Sequence, residues 1–339
     1  MNNKILVTLG PSSLNSDTVK ELTKKGVDLF RINLSHTKLD NVKKIIESIQ
    51  SWTDIPICLD SEGAQIRNQD MISEFVNFKK DDVVKIHYKT VIGDSNNISF
   101  TPSNVSQQLK VGDEIRVDFN SVCFCVTEVQ DNFLLAIVKR EGNVGSNKAA
   151  DTDADITLSA VTPKDKSAFK IGLDMDVRDF SLSFTNSADD VAQVRKIIGH
   201  NSNLISKIES IKGVLNLSEI LPVVDQILID RGDLSRELPI EKIPFIQRRI
   251  ISYAKSKDTP VFVATNLLES MIKSESPTRA EANDVASTLL MGASGLVLAA
   301  ETAIGDHPVG AVDMINLIVK QYERWTTESS FSDIIFQDN

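Results

Sequence analysis

VDLFRINLSHTKLDNVKKIIESIQSWTDIPICLD, residues 27–60, decides the fold. Val27–Ser35 is a short, mostly apolar run with strand character, Lys38–Trp52 is an amphipathic helical pattern, and Pro56–Asp60 is a second strand. Two apolar strands joined through a helix read as a parallel pair with a crossover connection. The same alternation runs outward in both directions. Further strand candidates are Lys4–Gly10, Val177–Phe184, Asn203–Glu209, Gln226–Asp230, Pro260–Thr265 and Gly295–Ala300, which makes eight in all. Helical patterns lie between most of them, including Ser16–Lys25, Ala188–Gly199, Pro244–Lys255 and Arg279–Met291. Eight strand–helix units predict an α/β fold, the closed (β/α)8 or TIM barrel, rather than an open sheet.

One segment breaks the rhythm. From about Ala64 to about Ala160 no good helix is found, and the runs 83–88, 113–119, 121–129 and 133–141 read as strands with turn signals between them. The expected organisation is a discontinuous barrel domain, residues 1–63 and 161–339, with a small β-rich lid domain, residues 64–160, inserted after the third strand. After a last helical pattern, Gly310–Tyr322, the chain is expected to end in a polar tail.

Composition narrows the function. The 339 residues are 41% hydrophobic, enough for a large core and more than one ordinary domain of ~150 residues. With 37 Lys and Arg against 47 Asp and Glu, the net charge of −10 argues against non-specific binding to nucleic acid or an anionic membrane. Three cysteines, Cys58, Cys123 and Cys125, make no disulfide framework, and Cys123-Phe-Cys125 reads as strand alternation rather than a zinc site. The opening MNNKILVTLGPSS has no leader character, and no apolar stretch approaches the ~20 residues that span a bilayer, so a cytoplasmic location is expected.

A barrel carries its site at the C-terminal ends of its strands. Those ends hold Arg31, Asn33, Ser35 and His36 after strand two, Asp60, Ser61 and Glu62 after strand three, and Ser183 on strand four. Strand five ends in Lys207-Ile-Glu209, strand six runs into Asp230-Arg231-Gly232-Asp233, strand seven ends in Thr265, and strand eight leads to Glu301-Thr302. Each residue alone reads equally as a solvated loop group, and Lys207 with Glu209 equally as a structural ion pair. Their convergence on one rim carries more. Glu209 and Asp233 offer hard oxygen ligands to a divalent cation, and Lys207 and Arg31 offer charge to an anionic substrate. His87, His200 and His307 sit in unremarkable contexts; His36 lies beside the Arg31–Asn33 cluster. No nucleophile elbow, Walker loop or metal-binding histidine pair is present.

These residues resemble the pyruvate kinase family. The resemblance rests on KILVTLGPSS (4–13), RINLSH (31–36), DSEGAQIR (60–67), SKIE (206–209), RGDL (231–234), ATNLLESM (264–271), PTRAE (277–281) and ETAIGDHP (301–308), in family order, and more weakly on VGSNK (144–148) in the inserted segment. It implies transfer of a phosphoryl group from phosphoenolpyruvate to ADP. It implies Mg²⁺ or Mn²⁺ on Glu209 and Asp233, and K⁺ or another monovalent cation on Asn33, Ser35, Asp60 and the Ser61 carbonyl. Lys207 resembles the cation that neutralises the moving phosphoryl group and the enolate. The Gly232 and Asp233 N–H groups resemble a cradle for the substrate carboxylate, with Ser183 nearby, and Thr265 resembles a hydroxyl near the proton path. Arg31 and Arg67 resemble phosphate-binding arginines, and Asn33, His36, Arg67 and Lys148 the nucleotide site. Neither nucleic acid nor membrane is an implied partner; a homo-oligomer is compatible with the pattern.

The chain also departs from the family. Glu62 stands where a lysine is usual, Ala64 replaces a hinge proline, and Ser235 and Ala299-Ala300 replace small residues of the family pattern. Gln65 replaces the acid common in potassium-dependent members, which sets the K⁺ requirement against the rest of the motif. Asp230 replaces an alanine, adding a carboxylate that either repels an anionic substrate or points away. The chain ends after the last barrel helix, so a short form without the family's C-terminal regulatory domain, and without sugar-phosphate control, is expected. The alternatives left open are a diverged phosphotransferase, a Mg²⁺-dependent pyruvate-enolate lyase or aldolase, and an impaired ligand-binding paralogue. The intact Lys148 segment speaks against the lyase, and intact Lys207, Glu209 and Asp233 speak against the paralogue.

Overall fold

The computed structural model describes residues 3–63, 65–118, 120–154 and 156–336. Ala64, which opens the inserted segment, and Phe119, at the end of one expected strand, lie outside the described residues. The chain divides into two compact units, residues 1–63 with 160–339, and residues 64–159.

The first unit is an α/β barrel. Its strands are β1 (Lys4–Thr8), β2 (Leu29–Asn33), β3 (Ile57–Asp60), β4 (Asp179–Leu182), β5 (Asn203–Ile208), β6 (Gln226–Asp230), β7 (Val261–Ala264) and β8 (Gly295–Leu298). They close into one ring in the order β1-β8-β7-β6-β5-β4-β3-β2. Every neighbouring pair is parallel, as a (β/α)8 barrel requires. The strands are shorter than their apolar runs. Strand β2 stops at Asn33, for example, because the Asn33 side chain accepts a hydrogen bond from the Ser35 N–H and turns the chain into a short 3₁₀ segment, Leu34–His36.

Strand alternation sorts the barrel interior. Leu29 and Arg31, Cys58 and Asp60, Ile205 and Lys207, and Leu228 and Asp230 are pairs two residues apart on one strand, so each pair shares a face. The first member of each pair joins an apolar cluster with Leu6, Phe262, Ala264 and Val297. The second member, one step nearer the C-terminal end, is ionisable. The opposite faces pack beneath the helices: Val7, Phe30, Ile32, Leu59, Phe180 and Leu204 in one cluster, and Ile208, Ile227, Ile229 and Val263 in another. The apolar floor and the charged rim therefore follow from one period-two pattern.

The helices are α1 (Ser16–Lys24), α2 (Leu39–Trp52), α3 (Pro163–Asp174), α4 (Ala188–Ile198), α5 (Ile211–Leu215), α6 (Leu217–Ile220), α7 (Arg231–Glu237), α8 (Ile243–Lys255), α9 (Arg279–Leu290), α10 (Ala300–Ala303), α11 (Pro308–Arg324) and α12 (Phe331–Phe336). Side-chain caps start several of them: Asn15 on α1, Ser187 on α4, and reciprocal capping boxes from Thr162 and Asp165 on α3 and from Thr278 and Glu281 on α9. The expected polar tail is corrected here. Residues 331–336 form α12 and expose Phe331, Ile334, Ile335 and Phe336, because an i, i+3, i+4 apolar spacing inside a short polar stretch suffices for a turn or two of helix.

The second unit is all β among its described residues. Seven strands, 133–140, 83–87, 97–101, 66–68, 149–152, 114–117 and 122–129, close into a small barrel in that order, and 142–144 pairs with 76–78 beside it. Its own core includes Phe78, Phe100, Phe124, Ile86 and Leu134. Cys123 and Cys125 lie on strand 122–129 and, like Cys58, are free thiols.

Candidate functional site

At the charged rim, Asp60 is the hub. It is fully buried, and its Oδ2 accepts from Arg31 Nε at 2.8 Å, from Arg31 Nη2, and from Lys207 Nζ at 3.3 Å. Arg31 Nη1 also donates to Thr8 Oγ1 at 2.9 Å. Burial works against ionisation of Asp60, but Arg31 and then Lys207 outweigh it and hold the carboxyl below its usual range. Strand pairing sets Asn33 beside Asp60, and Asp60 Oδ1 is buried without a hydrogen-bond partner. An orphaned carboxylate oxygen on a residue paired in register with an asparagine suits a monovalent cation, and Ser35 and Ser61 flank the pair in sequence. The Asn33 amide oxygen is already engaged as the cap of Ser35, which leaves it one lone pair.

Lys207 Nζ donates to Asp60 Oδ2 and to Ser183 Oγ at 3.0 Å, and is ion-paired with Glu209 Oε1 at 2.9 Å. Burial alone lowers its pKa, yet Asp60 and Glu209 reverse the sign and raise it, so the ammonium stays charged. Ser183 Oγ in turn donates to the Ser61 carbonyl at 2.8 Å, and its N–H donates to Ser61 Oγ at 2.9 Å, which ties the β3 and β4 exits together. Gly63 is needed at this crossing: its φ is +71°, and a Cβ there would stand 2.7 Å from Ser183.

Glu209 is one residue past the end of β5, two positions from Lys207. Its Oε2 accepts from the Phe184 N–H at 2.7 Å, while Oε1 is buried and, although near the ammonium, lacks a hydrogen-bond partner. Carboxylate oxygens of Glu209, Asp230 and Asp233 all lie within 4.8 Å of one another. Burial pushes Glu209 upward, and of its neighbours Lys207 opposes the shift while Asp233 and Asp230 add to it. Asp233 is raised by burial and then by Asp230, against Lys207 and Arg236. Crowded acids held above their usual range, one with an orphaned oxygen, fit a divalent cation. Arg236 Nη1 donates to Asp233 Oδ1 at 3.1 Å and fixes that side chain.

Asp230 does not point away. It caps α7: its Oδ1 accepts from the N–H groups of Gly232 at 3.1 Å and Asp233 at 3.4 Å, and from Thr265 Oγ1 at 2.5 Å. Thr265 has φ +76°, a strained value for a β-branched residue, and its carbonyl accepts from Arg231 Nε and Nη2. Arg231 is anchored in turn on Asp284 at 2.6 Å. A Cβ on Gly232 would meet Thr265 Cγ2 at 2.9 Å, so only glycine allows this approach.

The other expected site residues make contacts of their own. His36 is exposed on the 3₁₀ segment after β2. In the second unit, Arg67 Nε donates to Gln65 Oε1 and its Nη1 to the Asn147 carbonyl, while Lys148 lies 3.7 Å from Asp118. Arg67 lies on strand 66–68, and Lys148 immediately precedes the strand 149–152 that pairs with it, its N–H donating to Asn68 Oδ1. The charge reversal at Glu62 is neutralised by Lys164 at 2.6 Å, whose Nζ also donates to the Leu34 carbonyl. Glu301 is buried and structural, both oxygens accepting backbone N–H groups, from Leu268 and Ala299. Three supporting residues were not singled out from sequence: Arg231, Lys164 and Asp165. Asp165 is fully buried and accepts from the Glu62 and Gly63 N–H groups besides closing its capping box. The Thr162-x-x-Asp165 spacing before a helix is the signal for the last of these.

Fold and rim together define a (β/α)8 barrel enzyme whose site pairs fixed cations with a carboxylate cluster suited to metal. The sequence profile described as "Pyruvate kinase, barrel domain" matches residues 1–312. Proteins named pyruvate kinase share 33% identity over 95% of this chain and 71% of their own length in Thermotoga maritima, and 33% over 96% and 71% in Mycobacterium tuberculosis. The pyruvate kinase of Thermococcus litoralis shares 32% over 97% of the chain and 71% of its own length. The chain belongs to the pyruvate kinase family and is a phosphotransferase of the kinase type. Among the described residues no helix is long and apolar enough to cross a membrane.

Proposed function

We propose that the chain transfers the phosphoryl group of phosphoenolpyruvate to ADP, giving pyruvate and ATP. The observation that carries this is the single buried network of Arg31, Asp60, Lys207 and Glu209 at the strand ends of a pyruvate kinase barrel, with Asp233 and Thr265 beside it. A β-phosphate oxygen of ADP attacks phosphorus, the bond from phosphorus to the enol oxygen breaks, and the enol oxygen keeps the electron pair. The enolate then takes a proton on its methylene carbon and becomes pyruvate.

Such a transfer needs positioning and charge stabilisation more than covalent chemistry from the protein. Lys207 supplies a fixed charge where the enolate develops, and its contacts with Asp60, Ser183 and Glu209 hold Nζ in place. Arg31, clamped on Asp60 and Thr8, offers its charge to the phosphoryl oxygens. Ser183 orients Lys207, and Thr265 Oγ1 holds a hydroxyl proton near the product side. The Gly232 and Asp233 N–H groups are our assignment for the substrate carboxylate. Glu209 and Asp233 would hold Mg²⁺ or Mn²⁺, and Asn33, Ser35, Asp60 and the Ser61 carbonyl a monovalent cation. When bound, the divalent ion acts as a Lewis acid on the phosphoryl and enolate oxygens. Asn33, His36, Arg67 and Lys148 are our assignment for the nucleotide. A coupled assay for pyruvate with phosphoenolpyruvate, Mg²⁺ and a set of nucleoside diphosphates tests this reading; pyruvate release dependent on ADP is expected, and none with any diphosphate would overturn it.

A further inference from the structure

We propose that Asp230 is an internal ligand of the site: in the substrate-free protein its carboxylate fills the donor set of Gly232, Asp233 and Thr265 and adds a third carboxylate to the divalent-cation site, so that an incoming carboxylate must displace it. This deepens the proposed function, on which it rests for the identity of the incoming anion but not for the cation.

Three donors converge on one oxygen, Asp230 Oδ1, at 3.1, 3.4 and 2.5 Å. A backbone N–H pair and a hydroxyl meeting at one point form an oxyanion-binding set, and here the chain's own carboxylate satisfies it. The same carboxylate lies with Glu209 and Asp233 inside a 4.8 Å cluster. Independently of Asp230, Glu209 Oε1 in this cluster is fully buried, meets no hydrogen-bond donor in good geometry and is offset by the Lys207 ammonium at 2.9 Å, a charge that Asp60 shares. Two of the three N–H and O–H donors belong to residues held rigidly, since Thr265 is clamped by Arg231 and Gly232 has no room for a side chain. The donor set is thus preformed, and Asp230 and a substrate carboxylate compete for it. Asp230 therefore sets two affinities in opposite directions: it strengthens the cation site before substrate arrives, and it weakens the substrate.

The test uses the full chain as wild type, Asp230→Ala and Asp230→Asn. Mn²⁺ titration followed by electron paramagnetic resonance, without substrate, should show about ten- to a hundredfold weaker binding in both variants, the span expected for one charge-assisted contact. Calorimetric titration of phosphoenolpyruvate at saturating Mg²⁺ should show binding about ten- to a hundredfold tighter in Asp230→Ala. Asp230→Asn should fall between, because asparagine still caps α7 but carries no charge. The asparagine variant also keeps the test alive if loss of the cap unfolds the alanine one. Unchanged Mn²⁺ affinity in both variants would overturn the cation role, and phosphoenolpyruvate binding that is unchanged or weaker would overturn the competition. If no protein in the series forms pyruvate while Mn²⁺ affinity still drops, the kinase assignment fails and the cation role of Asp230 stands.

Discussion

Replacing Lys207 by methionine removes one charge from the centre of the network and tests the mechanism directly. In the resting site Nζ is 2.9 Å from Glu209, 3.0 Å from Ser183 and 3.3 Å from Asp60, so it is positioned before substrate binds. Phosphoenolpyruvate carries its charge in the ground state, and Arg31 remains to hold it. During transfer, charge moves onto the enol oxygen, where Lys207 acts. A contact made more strongly in the transition state should change kcat rather than KM. Loss of one such preorganised contact costs roughly 10²–10³ in kcat, or about 2.7–4 kcal/mol. The fold should feel the change too. Breaking a buried ion pair costs about 3–5 kcal/mol when the partner stays charged. Here Asp60 keeps Arg31, and Glu209, already raised by burial, takes up a proton, so the loss should fall below that range. Steady-state kinetics of pyruvate formation, with thermal unfolding in parallel and exchange of solvent protons into the methyl group of pyruvate, separate the contributions. Proton exchange should survive, since Thr265 and water are untouched. A variant whose KM rises strongly while kcat holds would make Lys207 a binding residue and refute the argument.

Glu209→Gln should abolish turnover and weaken Mn²⁺ binding with little change in circular dichroism; near wild-type turnover at ordinary Mg²⁺ would remove Glu209 from the cation site. Asp165→Ala should lower stability by ~1–3 kcal/mol in denaturant unfolding, because it strips a cap and leaves the Glu62 and Gly63 N–H groups without their acceptor. Asp179, raised by burial against its bond from Asn203 and the charge of Lys4, is more protonated in the native state than in the unfolded one. Its contribution is complete below the ordinary carboxyl pKa of 3.8 and is lost as pH rises through the higher native value, so Asp179→Asn should flatten that part of the stability curve; an unchanged slope would contradict it. Replacing residues 64–159 by a short linker should leave a helix-rich, protease-resistant barrel, since each unit has its own core, and a fully protease-sensitive product would count against independent units.

Periodicity made the barrel legible. Eight apolar runs of strand length, each followed by polar residues, specify parallel strands because burial on both faces leaves no other role for them. The same alternation placed Arg31, Asp60, Lys207 and Glu209 on inward faces at the strand ends, so the charged members of the site could be named from local sequence. Helix α3 and the short helices α5, α6 and α7 were less visible, since their apolar residues are few and their starts depend on caps. The exposed apolar turn of α12 was hidden within a polar tail.

What local sequence could not contain is which acceptor each charge finds. Asp230 follows Ile229 in the chain as an unexplained carboxylate, and only the parallel pairing of β6 with β7 brings Thr265, thirty-five residues away, to the same oxygen as the Gly232 and Asp233 N–H groups. Glu62 reads as a reversed charge until α3 delivers Lys164 to it from 102 positions downstream. Strand identity, order and the inward residues are fixed by short-range pattern, because the pleat has period two and burial is decided residue by residue. Partner choice among buried ionisable groups is decided by the register of the closed ring, because hydrogen bonds and ion pairs act over a few ångströms and their partners come from different strands.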